Sequence, residues 1–392
     1  MSEWTKVKLK DCCHSISDGD HLPPPKSNSG VPFVTIANID ATNHIDFGNT
    51  MFVPYEYYNN LNDIRKAKFN DILYSVVGSF GKPVLIKENK PFAFQRHIAI
   101  LRPNNGIVDS RFLYYVMLSR DFYMQADTVA IGAAQRTISL TALRNMEVEL
   151  PSMEIQRRIA NILSRYDSLI ENYQKQIKLL EEAAQRLYKE WFVDLRFPGH
   201  ENTKIVDGLP EGWEKKKLVD MADVQYGYAF DGKLFNSNNE GMPILRIRNI
   251  PDGITSDYTT EEAQDCYIVH NGDIVVAMDG IFHINSWSGG DAYLVQRACS
   301  FRPKEECMKG FIFQAIQEPI KFFEKTLVGA TVAHLGKKHI DSIELCIPKN
   351  FELYKPFSKF YNQRQGLLSQ IRLLTEARDR LLPKLMSGEI TV

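Results

Sequence analysis

The sequence has no apolar run long enough to cross a membrane as a helix, which argues against a helical membrane protein. Its first residues, Met1–Lys6, contain no apolar signal region, so we expect the chain in the cytoplasm. It also has no excess of charge of one sign, since 47 Lys and Arg residues face 48 Asp and Glu residues. A neutral sum does not indicate a nucleic-acid-binding protein, but it can hide a local basic face.

Cysteine is sparse as well, and the six cysteines form neither a C-x-x-C pair nor a Cys/His spacing typical of a metal site. The adjacent pair Cys12 and Cys13 has a geometry that disfavours a disulfide. We therefore expect free thiols and no bound metal.

Catalytic motifs are missing too. A methyltransferase needs a Gly-rich cofactor turn and an Asn/Asp-Pro-Pro-aromatic loop, and the sequence has neither. Gly78–Lys82 is not a phosphate-binding loop, because its spacing is short and no Ser or Thr follows the Lys. Glu214–Lys216 has the E-x-K form of some nucleases, but this triplet is common by chance. With no constellation for nucleophilic or acid–base chemistry, we expect a protein without enzymatic activity.

What the sequence does contain is a duplication of about half its length. At 392 residues the chain is long enough for two or three domains. The matching segments keep their order, and the repeat is too long for a solenoid. They are Pro32–Ile39 with Pro243–Ile250, Asn70–Ile72 with Gly272–Ile274, Gln95-Arg96 with Gln296-Arg297, Leu101–Pro103 with Phe301–Pro303, and Gln176–Leu180 with Gln370–Leu374. Two similar heads could contact two similar targets at a fixed separation.

Each half reads as a strand-rich head followed by a long helix. In the first head, apolar patterning predicts strands at Val31–Ile39, Ile72–Val77 and Ile98–Leu101, and a helix at Ser110–Asp121. We expect an α+β protein with two homologous mixed α/β heads and a pair of long antiparallel helices, related by a pseudo-two-fold duplication. The expected boundaries are 1–151 for the first head, 152–197 for the first helix, 198–349 for the second head and 350–392 for the second helix.

The helices are predicted from heptad stripes. Residues 152–192 contain no Pro or Gly, with Ser152 as the expected N-cap and Pro198-Gly199 after the end. About 40 helical residues span roughly 60 Å, which suits a spacer. A second helix is expected from Lys355 to Leu385, with Pro383 kinking or ending it. The stripe positions are 155, 159, 162, 166, 169, 173, 177, 180, 184, 187 and 191 in the first helix, and 357, 360, 364, 367, 371, 374, 378, 381 and 385 in the second. Arg364 and Arg378 interrupt the second stripe, so they require water or a polar partner.

The loops of both heads combine Gly with side chains that bond to base edges or phosphates. Gln135 and Arg136 follow a Gly-Ala-Ala turn and precede the strand-like Thr137–Leu140, so we expect them at a loop tip. Arg136 could instead cap a turn or pair with an acidic neighbour. The candidate DNA-binding residues are Asp20, His21, Lys26, Ser79, Lys82, Arg96, Gln135, Arg136, Thr137, Tyr228, Arg246, Arg248, His283, Asn285, Arg297, Thr331, His334 and Lys337.

Several segments resemble the specificity subunits (HsdS) of type I restriction-modification systems. They are Leu150–Ala160 with the helix that follows, Ile36–Ile39, Gln135–Leu140 and Lys384–Ile390. The order head, helix, head, helix is also similar. Pro348–Leu353 departs from the family's Pro-Pro-x-x-Glu-Gln lead-in to the second helix.

The resemblance implies a DNA-recognition subunit without catalytic residues. Each head would read half of a bipartite, asymmetric site, and the helices would set the spacer and dock two modification subunits that methylate adenine N6. Those subunits would use S-adenosylmethionine, and restriction subunits would use ATP and Mg²⁺. This chain would need no cofactor and no membrane. Two other classes stay open: a cytoplasmic coiled-coil scaffold with protein-binding heads, and a nuclease with an unrecognised carboxylate set.

Overall fold

The computed structural model describes residues 4–21, 23–40, 42–133, 135–327 and 333–392 of the chain. These residues form two compact units. The first unit contains residues 1–169 and 374–392, and the second contains residues 170–373. Both long helices therefore begin in one unit and end in the other.

The first unit has a four-stranded antiparallel sheet as its main element. Its strands lie in the order Cys13–Asp18, Ile98–Pro103, Ile72–Ser75 and Pro83–Leu85. The smaller sheets pair Thr5–Lys8 with Glu147–Leu150, and Val31–Val34 with Met51–Val53 and Ala93–Phe94. The α-helices outside the long pair are Leu9–Cys12, Tyr55–Asn60, Ser110–Leu118, Arg120–Val129 and Leu140–Asn145, with 3-10 turns at Ile36–Asn38 and Asp63–Arg65.

One face of that sheet forms the core of the first unit. Ile72, Tyr74 and Leu101 are fully buried and belong to the same apolar cluster as Phe112 and Leu113 of helix Ser110–Leu118. Burial of each such side chain contributes about 1.5–3 kcal/mol, so the core fixes the sheet that presents the loops.

The second unit repeats this plan. Its four-stranded antiparallel sheet has the order Ala222–Tyr226, Ala298–Pro303, Ile274–Ala277 and Ile284–Ser286. Its remaining strands are Trp213–Lys217 with Glu344–Pro348, Ile205–Val206 with Leu209–Pro210, and a sheet of Phe235–Asn236, Tyr258–Thr259, Met242–Leu245, Ala292–Leu294 and Ile268–Val269. Its shorter α-helices are Leu218–Met221, Lys309–Ala315, Gln317–Thr326 and Lys337–Asp341. Its 3-10 turns are His200–Asn202, Gly232–Leu234, Ile247–Asn249, Asp265–Tyr267, Glu306–Met308 and Phe351–Tyr354.

Matched polar contacts confirm the predicted duplication. Arg102 Nε donates to Asp71 at 3.1 Å, and Arg302 Nε donates to Asp273 at 3.2 Å. In addition, Arg102 Nη2 donates to the backbone carbonyl of Lys66, and Arg302 Nη2 donates to the backbone carbonyl of Ile268. In each head the aspartate immediately precedes the third strand of the main sheet and the arginine lies on the second strand. Such an ion pair is more specific than shared apolar content, because the carboxylate and the arginine meet in only one register.

Several local predictions from the first head were wrong. The strands predicted at Ile72–Val77 and Ile98–Leu101 extend over Ile72–Ser75 and Ile98–Pro103. The strand from Val31 ends at Val34, because the Asn38 carboxamide accepts from the Thr35 backbone N–H at 2.9 Å and closes a turn. The helix from Ser110 breaks at Ser119, whose hydroxyl accepts from the Phe122 N–H and caps a new helix. Thr137–Leu140 does not form a strand; Ser139 caps helix Leu140–Asn145.

The long helices extend over Met153–Tyr188, continued by one π turn at Lys189–Val193, and over Lys355–Met386. Pro383 lies in the last turn of the second helix, which ends three residues later. The predicted seam of the first helix is wrong at Leu169, which is 43% exposed, whereas Ile170 is buried. The buried positions Leu163, Ile170, Ile177 and Ala184 follow each other at intervals of seven.

Polar partners explain the two arginines in the second stripe. In the first unit, Arg378 donates to Asp167 at 2.8 Å. In the second unit, Arg364 donates to Glu181 at 2.6 Å, and about two helical turns further the Tyr188 ring contacts Phe357. Partner numbers fall along one helix as they rise along the other, so the segments within the second unit are antiparallel, as predicted.

Within the described ranges, no helix is both long and apolar enough to cross a membrane. The six cysteines are all free thiols, as predicted.

Candidate nucleic-acid interface

Four loop segments of the first unit meet at one end of its main sheet. The Gly19 N–H donates to Ile98 O at 3.2 Å, and the Val76 N–H donates to His97 O at 2.9 Å. The Gly78 N–H donates to Arg136 O at 2.9 Å, and the Ile138 N–H returns to Val76 O at 2.8 Å. We call residues 18–21, 76–82, 95–98 and 135–138 the first loop cluster.

The second unit has the same set of backbone hydrogen bonds. They link Gly227 to Ala298 O at 3.0 Å, Met278 to Arg297 O at 2.8 Å, Gly280 to Ala333 O at 3.0 Å and Leu335 to Met278 O at 2.7 Å. We call residues 226–229, 278–283, 295–298 and 333–336 the second loop cluster. Both heads therefore use the same backbone geometry to present different side chains.

This correspondence corrects one pairing of the sequence repeat. Gln95-Arg96 was matched to Gln296-Arg297, but the bond from Val76 to His97 O corresponds to the bond from Met278 to Arg297 O. His97 is therefore the equivalent of Arg297, and Arg96 is the equivalent of Gln296. The dipeptide Gln-Arg occurs in both heads but is offset by one residue, which hid the correct alignment. Counting back six residues from Pro103 and from Pro303 leads to His97 and Arg297.

Glycine is required where the segments cross. A Cβ atom on Gly19 would lie 2.1 Å from Phe94 O, and one on Gly227 would lie 2.1 Å from Val295 O. Gly78 and Gly280 have φ values of 70° and 69°, a conformation that favours glycine. Equivalent glycines thus hold both loop clusters in the same conformation.

Arg136 is a central side chain of the first loop cluster, and it is half-buried. Its Nη1 donates to the Asp127 carboxylate, and its Nη2 donates to the carbonyls of Asp127 and Ala130. Its guanidinium lies 5.5 Å from the centre of the Phe80 ring, which stacks on Tyr123 at 5.7 Å. Pairing with an acidic neighbour, the alternative considered from the sequence, is therefore present in the structure.

The other candidates of the first head differ in their surroundings. Asp20 accepts from the Tyr57 hydroxyl at 2.7 Å and from Arg65 at 3.3 Å, so it organises the cluster from within. Thr137 is half-buried and exchanges backbone bonds with Ile131. The exposed or half-exposed candidates in the cluster are His21, Ser79, Lys82, Arg96 and Gln135, whereas Lys26 is exposed outside it.

The second loop cluster contains Tyr228, His283, Arg297 and His334. Tyr228 packs against Phe230 and Tyr267, with ring centres 4.8 and 5.1 Å away. His283 is exposed. Arg297 and His334 both donate to the carboxylate of Asp279, and the His334 Nδ1–Oδ1 distance is 2.6 Å. Burial alone would raise the pKa of Asp279, but these hydrogen bonds outweigh it and lower the pKa below its usual value.

Several candidates of the second head lie outside this cluster. Arg248 pairs with Asp257, and Arg246 lies over the Phe235 ring at 5.3 Å. Lys337 is exposed at the start of its short helix, and Thr331 lies outside the described residues.

Asn285 is engaged inside the second unit. Its amide nitrogen donates to Ile250 O and Pro251 O, both at 2.9 Å, and its amide oxygen accepts from Arg364 at 2.8 Å. We therefore remove Asn285 from the candidate DNA contacts.

Three residues that shape these loops were not predicted from the sequence, namely His97, Asp127 and Asp279. His97 was hidden by the shifted repeat. Asp127 and Asp279 act as acceptors for arginine or histidine, and nothing in the residue type itself marks a carboxylate for that role. Asp279 immediately precedes Gly280 of a predicted loop, so its place in the sequence was a usable signal.

Comparison with known proteins agrees with this geometry. The model of the type I restriction modification DNA specificity domain matches residues 1–182 and 210–372, which together are most of the chain. The chain belongs to this family. As a type I specificity subunit it has two target-recognition domains and is the non-catalytic DNA-recognition component of its system.

Two specificity subunits match this chain over most or all of their length. The MjaIX specificity subunit of Methanocaldococcus jannaschii is 27% identical, over 74% of this chain and 71% of the relative. The HindI specificity subunit of Haemophilus influenzae is 22% identical, and the alignment covers 100% of both chains. The crystal structure of a type I system S subunit from M. genitalium has a TM-score of 0.58 at 18% identity, covering 98% of this chain and 96% of that one, so it shares the fold.

Proposed function

We propose that each loop cluster of this specificity subunit reads one half of a bipartite, asymmetric site on duplex DNA. The main support is that two equivalent sets of backbone hydrogen bonds present different side chains. Arg136 in the first cluster has Ala333 as its equivalent in the second, and Val77 has Asp279. Because the two loop clusters have the same backbone hydrogen bonds but different side chains, we expect the two half-sites to contain different bases.

The proposed DNA contacts fall into two chemical classes. Arg136 and Gln135 in the first cluster, and Arg297 and His334 in the second, have planar polar groups suited to base edges. His21, Lys26, Ser79, Lys82, Arg96, Thr137, Tyr228, Arg246, Arg248, His283, Thr331 and Lys337 are proposed for phosphate or minor contacts, with Asp20 as a support. Phosphate contacts add affinity and salt dependence without reading sequence.

We further propose that the functional division is 1–151 and 198–349 for the two reading heads, and 152–197 and 350–392 for the helical spacer. The spacer would set the number of unread base pairs and bind two modification subunits, with restriction subunits joining a larger cytoplasmic assembly. Chemistry would reside in those partners, which would use S-adenosylmethionine to methylate flipped adenine, or ATP and Mg²⁺ to restrict DNA. This chain would recognise the DNA sequence and set the distance between the two half-sites.

Modification mapping tests the proposal directly. The chain would be expressed with its partner modification subunit in a host that lacks adenine methylation, and methylated adenines would be located by sequencing. A split, asymmetric motif is expected, whereas a continuous motif or a palindrome contradicts the proposal. The purified chain alone should neither methylate nor cleave DNA. Absence of modification with a partner that is active on its usual site would favour the scaffold alternative, and Mg²⁺-dependent cleavage by the chain alone would favour the nuclease.

A further inference from the structure

The second loop cluster contains a carboxylate that accepts hydrogen bonds from two different side chains. The Asp279 side chain is 9% exposed, and its two oxygens accept from different partners, Oδ2 from Arg297 Nη1 and Oδ1 from His334 Nδ1. The Arg297 and His334 side chains are themselves 64% and 58% exposed. A half-buried acid therefore restrains two exposed side chains at the surface.

Arg297 is also held by its backbone. Its φ is 70°, in the left-handed region that residues other than glycine, asparagine and aspartate seldom occupy. The Met278 N–H donates to Arg297 O at 2.8 Å, which helps to fix this conformation. Strained residues of this kind concentrate at functional sites.

A surface recess lies beside the restrained pair. It has a volume of about 460 Å³ and is lined by Tyr226, Gly227, Met278 and Gln296 together with Arg297 and His334. The restrained pair therefore borders an open space rather than a packed core, and a nucleobase edge could approach it.

The first loop cluster has no counterpart of this arrangement. The residues equivalent to Asp279, Arg297 and His334 are Val77, His97 and Thr137, as the backbone bonds and the bridges of Val77 with Thr137 and Asp279 with His334 indicate. Valine cannot accept a hydrogen bond from its side chain. The acid-held pair is thus specific to the second head, where it can read bases that the first head does not.

The tautomer of His334 follows from its partner. An ionised carboxylate only accepts hydrogen bonds, so Nδ1 carries the hydrogen, and Nε2 of this tautomer has a free lone pair and can accept a hydrogen bond. Arg297 is a multiple donor. The pair therefore presents donors next to one acceptor. Guanine O6 and N7 complement the donors, and the exocyclic amino group of adenine or cytosine complements the acceptor.

On the basis of the proposed function, we propose that Asp279 positions Arg297 and His334 to read the second half-site, with Arg297 on a guanine and His334 on an adjacent base that has an exocyclic amino group. Asp279 does not contact DNA. It fixes the direction of one side chain and the tautomer of the other.

The test uses the full chain assembled with its modification subunit and a library of duplexes with single substitutions in each half-site. Asp279→Asn keeps the size of the side chain and removes its charge. We expect discrimination in the second half-site to fall by about 5-fold to about 100-fold, as for loss of one good base contact. Discrimination in the first half-site should stay unchanged. Asp291→Asn is the matched control, because Asp291 also pairs with a histidine, His270 at 2.8 Å, but outside the cluster.

Two exposed substitutions keep the test valid if Asp279→Asn unfolds the head. Arg297→Lys keeps the charge but lacks the planar pair of donors of the guanidinium, so selection of the guanine alone should weaken. His334→Gln should affect only the neighbouring base. Unchanged discrimination in these variants overturns the inference. An equal loss of affinity for every sequence also overturns it, since that is the behaviour of a phosphate contact. If the unsubstituted complex prefers no sequence at all, the proposed function itself fails.

Discussion

At the scale of single residues, Arg136 and Arg297 show two ways to hold an arginine in a loop. Arg136 is bound by Asp127 and by two carbonyls and lies over Phe80, whereas Arg297 relies on Asp279 and on an unusual backbone conformation. Arginine has five N–H donors, so both can bind an acid and still donate elsewhere. A buried or half-buried acid beneath an arginine is thus compatible with DNA reading.

Replacing Arg136 with Ala should abolish discrimination at one position of the first half-site, by about 1–3 kcal/mol, and leave the second half-site unchanged. Competition binding of single-substitution duplexes by the assembled complex measures this. Arg158→Ala, which removes an exposed arginine paired with Glu154, is the matched control. Equal losses in both half-sites would show that Arg136 serves the fold or the DNA backbone instead.

The hydrogen bonds to Asp279 also make a pH prediction. The pKa of Asp279 is lowered in the folded chain, so its ionised form stabilises the fold at pH values above the usual Asp range, near 4. This contribution should be lost as the pH falls through the folded pKa. We expect Asp279→Asn to lower the free energy of unfolding at pH 7, and the difference from the unsubstituted chain to shrink below about pH 4. Denaturant unfolding at several pH values tests this, and a difference that grows toward acid would contradict it.

At the scale of elements, Arg364 connects the second long helix to the second head. This arginine is 8% exposed and donates to Glu181, to the Ser286 hydroxyl and to the Asn285 amide oxygen. One side chain therefore links both helical segments of the second unit to strand Ile284–Ser286. A polar residue in an apolar stripe is costly unless its partners are present, so it favours one register.

Substituting Arg364 with Met should destabilise the second unit by roughly 1.5–3 kcal/mol, because hydrogen bonds to a charged group are lost and Ser286 is left buried without this donor. Arg372→Met, on the exposed side of the same helix, should change stability little. Urea unfolding of both variants makes the comparison. Equal losses of stability in the two variants would show that the buried hydrogen bonds of Arg364 do not account for the effect.

The elements also show what could be predicted from the sequence. The long helices and the duplication were predictable, because heptad spacing and ordered repeats are properties of the sequence itself. Leu169 was assigned to the seam instead of Ile170 because either neighbour fits a stripe with a phase shift, and only packing decides between them.

The loop clusters were less predictable for a physical reason. Asp127 and Arg136 are nine residues apart, but Asp279 and His334 are 55 apart and meet only because two loops share backbone bonds. No periodicity records such a contact. The repeat could still have suggested it, since aligning Asp279 with Val77 exposes an acid present in one head alone.

At the scale of the whole molecule, the ion pairs between the two long helices take their acids from the first helix and their arginines from the second. Glu181 and Asp167 lie on the first helix, whereas Arg364 and Arg378 lie on the second. A parallel, in-register pair of two first helices would bring these acids together, and the same arrangement of two second helices would bring the arginines together. The charges therefore favour the intramolecular pair over association of like helices from two chains.

The proposed spacer makes a prediction about length. Seven residues inserted within Glu171–Leu187, together with seven inserted within its partner segment Phe357–Leu373, add roughly 10 Å of helix and keep the buried seam in phase. Since DNA rises 3.4 Å per base pair, we expect the unread spacer to lengthen by about three base pairs. The half-site bases should stay the same, because the loop clusters are unaltered. Methylation mapping in cells that express the variant measures both quantities. A paired insertion of two residues, which rotates the apolar seam by about 200° and so away from its partner, should instead abolish modification. New half-site bases at an unchanged spacing would contradict the role of the helices as a ruler.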